Sequence, residues 1–166
     1  MKSRLVPVRC PFCGYTTILK KETYVVASFD DRLKEKLYEG SYFRFHCPKC
    51  KSDSIYAHPM LYYDAAKRFV LLLNEHRQET SFQPDILCEQ VHTSEDFVEY
   101  LHILDQLLYP SQIMSLKEKL HDRYPATQIR FDSLENEVLW FINKTNQGEQ
   151  MIGIELKNVP FIYRRK

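Results

Sequence analysis

The sequence predicts an α+β fold, and three observations predict it. Two copies of CPxC, Cys10-Pro11-Phe12-Cys13 and Cys47-Pro48-Lys49-Cys50, stand 33 residues apart. The residues around them are β-branched and aromatic and alternate with period two, the signature of strands. After residue 94 the apolar positions change to helical spacing before strand-like runs return. Together these features predict a zinc-ribbon-like β module with one short inserted helix at 1–75. A linker or long loop follows at 76–93, then a helix pair with a small antiparallel sheet at 94–166. The last part packs as one domain with the first or stands apart.

Composition bounds the function. The chain has 166 residues, 44% hydrophobic and 27% charged, so it can bury a core. The formal charge of +1 excludes an overall electrostatic grip on nucleic acid or membrane. Charge is nevertheless unevenly spread. Residues 1–60 hold 11 Lys and Arg against 6 Asp and Glu, a net of +5, and residues 61–166 hold 12 against 16, a net of −4. The basic amino terminus lacks the apolar core of a secretory signal, and no run of about 18 apolar residues exists. With four of the five cysteines arranged as CxxC pairs, the expectation is a cytoplasmic chain whose thiols are reduced and hold a metal.

In chain order, residues 6–9 form a short strand into the first motif, and Gly14 supplies the positive φ that a metal knuckle needs. Residues 15–20 and 22–29 read as two strands bent at Lys20-Lys21. Asp30 or Asp31 caps a helix whose Leu33 and Leu37 share a face, and Gly40 ends it. Residues 41–47 alternate as a strand into the second motif, and residues 54–63 and 68–74 are strands joined through Asp64-Ala65-Ala66-Lys67. Residues 75–85 are polar and contain Pro84, the best boundary between halves. Ser94 then caps a helix with Phe97, Leu101, Leu104 and Leu108 on one face. Pro110 breaks it, and a second helix at 111–123 buries Ile113, Leu116 and Leu120. Strands follow at 129–131, 138–142 and 151–156, the last two joined through Asn146-Gln147-Gly148, and residues 159–163 add an edge strand.

The doubled motif carries the chemistry. A CxxC turn sets two sulfurs one tetrahedral edge apart, and a second turn completes a four-sulfur shell around zinc. Cys10, Cys13, Cys47 and Cys50 are the predicted ligands, with Arg9, Lys49 and Lys51 offsetting their charge. Iron uses similar knuckles, so the sequence leaves zinc or iron open, with zinc favoured. The 33-residue separation exceeds the ribbon spacing of about 15–20, which the inserted helix explains. Lys51 stands where the first motif has Gly14, so the second knuckle is expected to be tighter or to use a different turn. A redox dithiol is disfavoured: Cys13 leads into Gly14-Tyr15-Thr16-Thr17-Ile18, a poor helix start, and the second CPxC would go unexplained.

These residues resemble those of bacterial and archaeal CpXC domain proteins. The doubled CPxC, the stretch YFRFHCPKC and Met60-Leu61-Tyr62-Tyr63-Asp64 carry the likeness over residues 5–75, and it extends more loosely through the helix pair. It implies a metal site at Cys10, Cys13, Cys47 and Cys50 and supplies no catalytic residue. Lys51 departs from the commoner Gly.

Other residues read as ordinary structure. Cys88 is expected as a buried thiol, His46 as a surface imidazole beside a ligand, His102 and Asp105 as a solvated helix face, and Trp140 as core. A saturated four-cysteine shell has no open position to activate water, so the expectation leans against an enzyme. The leading expectation is a non-catalytic protein-interaction or regulatory module whose partner is another protein. The alternative is a nucleic-acid-binding ribbon, and Tyr42, Arg44, Lys49 and Lys51 are the expected nucleic-acid or partner surface.

Overall fold

The computed structural model describes residues 1–28, 30–74, 76, 85–125, 127–159 and 162–163. The chain divides into two units, Met1–Val98 and Glu99–Lys166. Among the described residues it is mixed α and β, with three α-helices and three sheets. Among the described residues, no helix is long and apolar enough to cross a membrane.

In the first unit, β1 (Lys2–Arg9) pairs antiparallel with β2 (Thr16–Val26). The two strands expected at 15–20 and 22–29 are this one strand; position 29 lies outside the described residues. There is no bend at Lys20-Lys21 because Lys21 points inward: it is buried, and its ammonium donates to the Tyr42 carbonyl at 2.8 Å. Past Lys21, β2 keeps β1 on one side as far as Tyr24 and gains β5 (Met60–Asp64) on the other, with Tyr24, Val25 and Val26 parallel to Leu61, Tyr62 and Tyr63. Helix α1 (Asp31–Tyr38) follows β2, capped as expected: Asp30 Oδ1 accepts the Leu33 N–H at 3.0 Å, Leu33 and Leu37 are buried, and Gly40 has φ 71°.

The strand expected at 41–47 is a 3-10 turn, Ser41–Phe43, followed by β3 (Arg44–His46), which pairs with β4 (Asp53–Ile55). β6 (Phe69–Leu73) returns antiparallel to β5 after a turn in which Asp64 Oδ1 accepts the Lys67 N–H at 2.8 Å. All five residues of β6 are buried, and the strand lies inside the sheet with a neighbour on each side. The second neighbour is β7 (Leu87–Val91), parallel to β6 and inside the stretch expected as a linker or long loop. Pro84, the expected boundary signal, lies outside the described residues. The sheet order is β1-β2-β5-β6-β7. Phe43, Tyr62, Phe69 and Phe97 fill the core, Phe43 edge-on to Phe97 at 5.7 Å.

The division between units falls inside α2 (Ser94–Asp105). Its cap is Thr93, not Ser94: Thr93 Oγ1 accepts the Asp96 N–H at 3.1 Å. The stripe of Phe97, Leu101, Leu104 and Leu108 is fully buried, as its spacing predicts. Pro110 opens α3 (Pro110–Arg123) at its first turn, where a missing N–H costs nothing. Ile113 and Leu120 are buried there and Leu116 is partly so.

The second unit closes with an antiparallel meander of β8 (Gln128–Glu135), β9 (Val138–Thr145) and β10 (Gly148–Glu155). Trp140 is not core. Strand alternation turns Leu139 and Phe141 inward, so Trp140 between them faces out and is half-buried. It lies beside its cross-strand partner Gly153, where an added Cβ would come 3.0 Å from both Trp140 and Val138. Gly153→Ala is therefore expected to cost about 1–3 kcal/mol in chemical denaturation. Of the tail, Val159 and Ile162 are buried with this core, and Tyr163 bridges to Leu108. Phe161 and Arg164-Arg165-Lys166 lie outside the described residues, and so does that part of the edge strand expected at 159–163.

Candidate metal centre

Each CPxC motif forms the tip of a β-hairpin. The first turns between β1 and β2, the second between β3 and β4. The two turns close identically. In the first, the Gly14 N–H donates to the Cys10 carbonyl at 3.0 Å and the Cys10 N–H to the Tyr15 carbonyl at 2.8 Å. In the second, Lys51 N–H donates to the Cys47 carbonyl at 3.0 Å and Cys47 N–H to the Ser52 carbonyl at 2.9 Å. Gly14 has φ 70° and Lys51 φ 61°. The second knuckle is thus not a different turn: Lys51 adopts the left-handed conformation that glycine takes in the first. A Cβ in that region costs about 1–2 kcal/mol. Lys51→Gly is therefore expected to raise stability, by about 1 kcal/mol after the entropy cost of glycine. Gly14→Ala should lower it by about 1–2 kcal/mol through strain alone, since the added Cβ would meet nothing closer than Arg9 Nη2 at 3.5 Å. Thermal melts of the two variants check both signs.

The hairpins bring all four sulfurs together, every pair within 4.8 Å. Cys10 Sγ lies 3.6 Å from Cys50 Sγ, and Cys13 Sγ 3.7 Å from Cys47 Sγ. These are not disulfides, whose sulfurs stand about 2.0 Å apart. A tetrahedral shell with metal–sulfur bonds of about 2.3 Å has edges of about 3.8 Å, and the observed spacings match it. The donor set fits a closed metal site. Beneath it, Val6, Val8 and Phe45 pack with Cys10 and Cys47 in one apolar cluster, with Leu19 and Tyr56 against it. Cys10 is 2% and Cys47 0% exposed, while Cys13 is half-buried and Cys50 exposed.

The thiols are not equivalent. The Ser52 hydroxyl, 2.7 Å from Cys50 Sγ, and the Ser52 backbone draw the Cys50 thiol down to about 6 against the resistance of burial. The Tyr15 backbone draws Cys13 down too, but burial and the three neighbouring sulfurs outweigh it and push that thiol up to about 11. For Cys10 burial opposes ionisation, yet the backbone of Cys13 and Phe12 leaves it below the usual thiol range. The backbone thus presents hydrogen-bond donors to sulfur charge, which a metal would complete by taking up four thiolates. Sequence reasoning missed Ser52, whose only signal is a hydroxyl two residues after Cys50.

The residues expected at a contact surface separate. Arg44, Lys49 and Lys51 are exposed on the second hairpin. Tyr42 is not on that surface. It is 8% exposed because its ring lies in the core and its hydroxyl is held between the Glu22 N–H and Glu22 Oε2, each at 3.0 Å. Burial raises the Tyr42 phenol well above its usual range. His58 is buried too, its Nε2 2.9 Å from the Glu22 carbonyl, and it stacks on Tyr56. Burial lowers its pKa. His46 is exposed, as expected, and outside the sulfur cluster, its Nδ1 2.9 Å from Asp53 Oδ1 across the hairpin. Cys88 is half-buried rather than buried, because β7 is the edge of its sheet. His102 is half-buried as well, its Nδ1 3.2 Å from the Asp132 carbonyl.

A family model described as CpXC protein matches residues 8–124, which include all four cysteines. No curated protein and no solved structure matches the chain.

Proposed function

This chain belongs to the CpXC family, and on that premise we propose that it is a zinc protein acting through contact with another protein rather than by catalysis. The carrying observation is the cluster of four sulfurs, supplied in pairs by two hairpins and spaced as tetrahedral edges. Two knuckles clasping two hairpins support a zinc-ribbon-like reading. Zinc is favoured over iron because a closed tetrathiolate suits a metal without redox demands. A shell filled by four thiolates leaves no position for water, so the metal's role is to hold surfaces in place. The cytoplasm, a reducing compartment, suits four thiols kept as thiolates.

The surface that the clasp presents supports protein contact. Phe12, at the tip of the first knuckle, is 68% exposed, and Leu5 and Ile18 are 70% and 66% exposed. Val6 and Val8 turn inward, and the register places Pro7 opposite Ile18, so Leu5, Pro7 and Ile18 share the outer face of one hairpin. Contiguous exposed apolar groups of this kind mark interaction sites. The test is affinity capture from the native host with the wild-type chain and with a Leu5→Ser, Phe12→Ser, Ile18→Ser variant. Proteins lost from the variant while its metal content is unchanged support the reading; identical captures overturn it.

One observation favours nucleic acid as a second reading: Arg44, Lys49 and Lys51 are exposed on the second hairpin, and Phe12 and Tyr15 are exposed at the first knuckle. Binding to single-stranded oligonucleotides that weakens steeply with salt would support it. No binding at low salt would end it.

A further inference from the structure

A cleft of 620 Å³ opens between β2 and α1, and no cysteine of the cluster lines it. Its charged walls are Lys20, Lys21 and Glu22 from β2 and Asp30, Arg32 and Lys36 from α1 and its cap. Four cations thus face two carboxylates, and both carboxylates are engaged. Asp30 caps α1 through the Leu33 N–H at 3.0 Å, and Glu22 Oε2 accepts the Tyr42 hydroxyl at 3.0 Å. Among the described residues, none of the four cations has an ion-pair partner within 4.0 Å.

Lys21 makes the cleft more than a patch of surface lysines. It is 8% exposed, yet its ammonium has one hydrogen-bond acceptor, the Tyr42 carbonyl at 2.8 Å, and lies 4.4 Å from the centre of the Tyr42 ring. An ammonium carries three protons, so donors remain. Burial disfavours its charge; Glu22 supports it, and the nearby Lys36 opposes it. Such a cluster costs stability by itself, and a bound anion would relieve it.

We infer that this cleft binds a phosphate-bearing small molecule. Lys21 supplies the buried charge, Arg32 the planar fork suited to phosphate oxygens, and Lys20 and Lys36 the remaining positive rim. A small molecule is favoured over a nucleic-acid strand because the cations line a half-open cleft whose volume falls within the roughly 300–1,000 Å³ of ligand pockets. The cations exposed on the second hairpin, Arg44, Lys49 and Lys51, do not line it.

Calorimetric titration of the purified full chain with inorganic pyrophosphate and with ADP, at low salt and with metal content followed throughout, tests the inference. Arg32 and Lys36 are exposed, so Arg32→Gln with Lys36→Gln should fold normally. The expected result is binding that this double variant weakens about tenfold or more and that Lys49→Gln with Lys51→Gln leaves unchanged. ADP binding more tightly than pyrophosphate would place a nucleotide in the cleft; equal affinity would assign the binding to phosphate alone. No binding of either probe, or binding indifferent to Arg32 and Lys36, overturns the inference. So does a single-stranded oligonucleotide that displaces pyrophosphate and depends more strongly on the same two residues.

Discussion

Cys47→Ser is expected to unfold the amino-terminal unit and to abolish stoichiometric metal binding. Cys47 is 0% exposed, packs with Val6, Val8 and Phe45, and joins the second hairpin to the first through its sulfur 3.7 Å from Cys13. A serine hydroxyl is a poor metal ligand at neutral pH and would be buried without the charge compensation that the metal gives a thiolate. Structural zinc contributes roughly 10–16 kcal/mol of apparent binding free energy. That is as large as the whole stability of an ordinary domain, about 5–15 kcal/mol, so the loss is expected to exceed what the unit can absorb. Chelation of the metal from the wild-type chain should give the same product. Far-ultraviolet circular dichroism with metal analysis checks both. Cys50→Ser should be milder, because Cys50 is exposed and water can take up the vacant position. His46→Ala should leave metal content unchanged and cost about 0–1 kcal/mol, since its contact with Asp53 lies in solvent.

The second large effect belongs to the carboxy-terminal unit and is independent of metal. Glu99 is 4% exposed, and its carboxylate accepts the Phe131 N–H at 2.7 Å and the Lys117 ammonium at 2.8 and 2.6 Å. Glu99→Ala leaves the Lys117 ammonium, whose side chain is only 16% exposed, without its counter-charge and a strand N–H without an acceptor. The expected loss is about 3–5 kcal/mol, read as a lower urea midpoint for the second unit with metal content unchanged. Glu99→Leu combined with Lys117→Met should cost less than either single change, about 1–3 kcal/mol, because only the Phe131 N–H is then orphaned. A double-variant loss equal to the sum of the two single losses would show that the pair is not coupled.

The two CPxC motifs made the sulfur cluster legible because metal binding fixes residue type and local spacing at once. Helix α1 was legible for a similar reason: Asp30, Leu33, Leu37 and Gly40 each act within one turn of their neighbours. Three misreadings share a cause, which is pairing across long stretches of chain. Lys20-Lys21 looks like a bend until Tyr42, 21 residues on, offers Lys21 a buried acceptor. Leu87–Val91 looks like part of a linker until β6 needs a second neighbour. Trp140 sits in an apolar run of which only Leu139 and Phe141 face the core that Ile113 and Leu120, distant in sequence, also fill. Lys51 is a different case. The turn's conformation is set by the requirement to present two sulfurs, and that requirement overrides the residue's own preference. Glu99 gave no signal at all, because nothing in the sequence ties it to Lys117 or Phe131.

The clasp is tested most directly by counting metal and protected thiols in the same purified sample. The chain has five cysteines, four of them in the cluster. The expected result is one zinc per chain, with the four cluster thiols protected from alkylation under native conditions and released when zinc is chelated. A folded chain with less than about half an equivalent of metal and all of its thiols open to alkylation would contradict it.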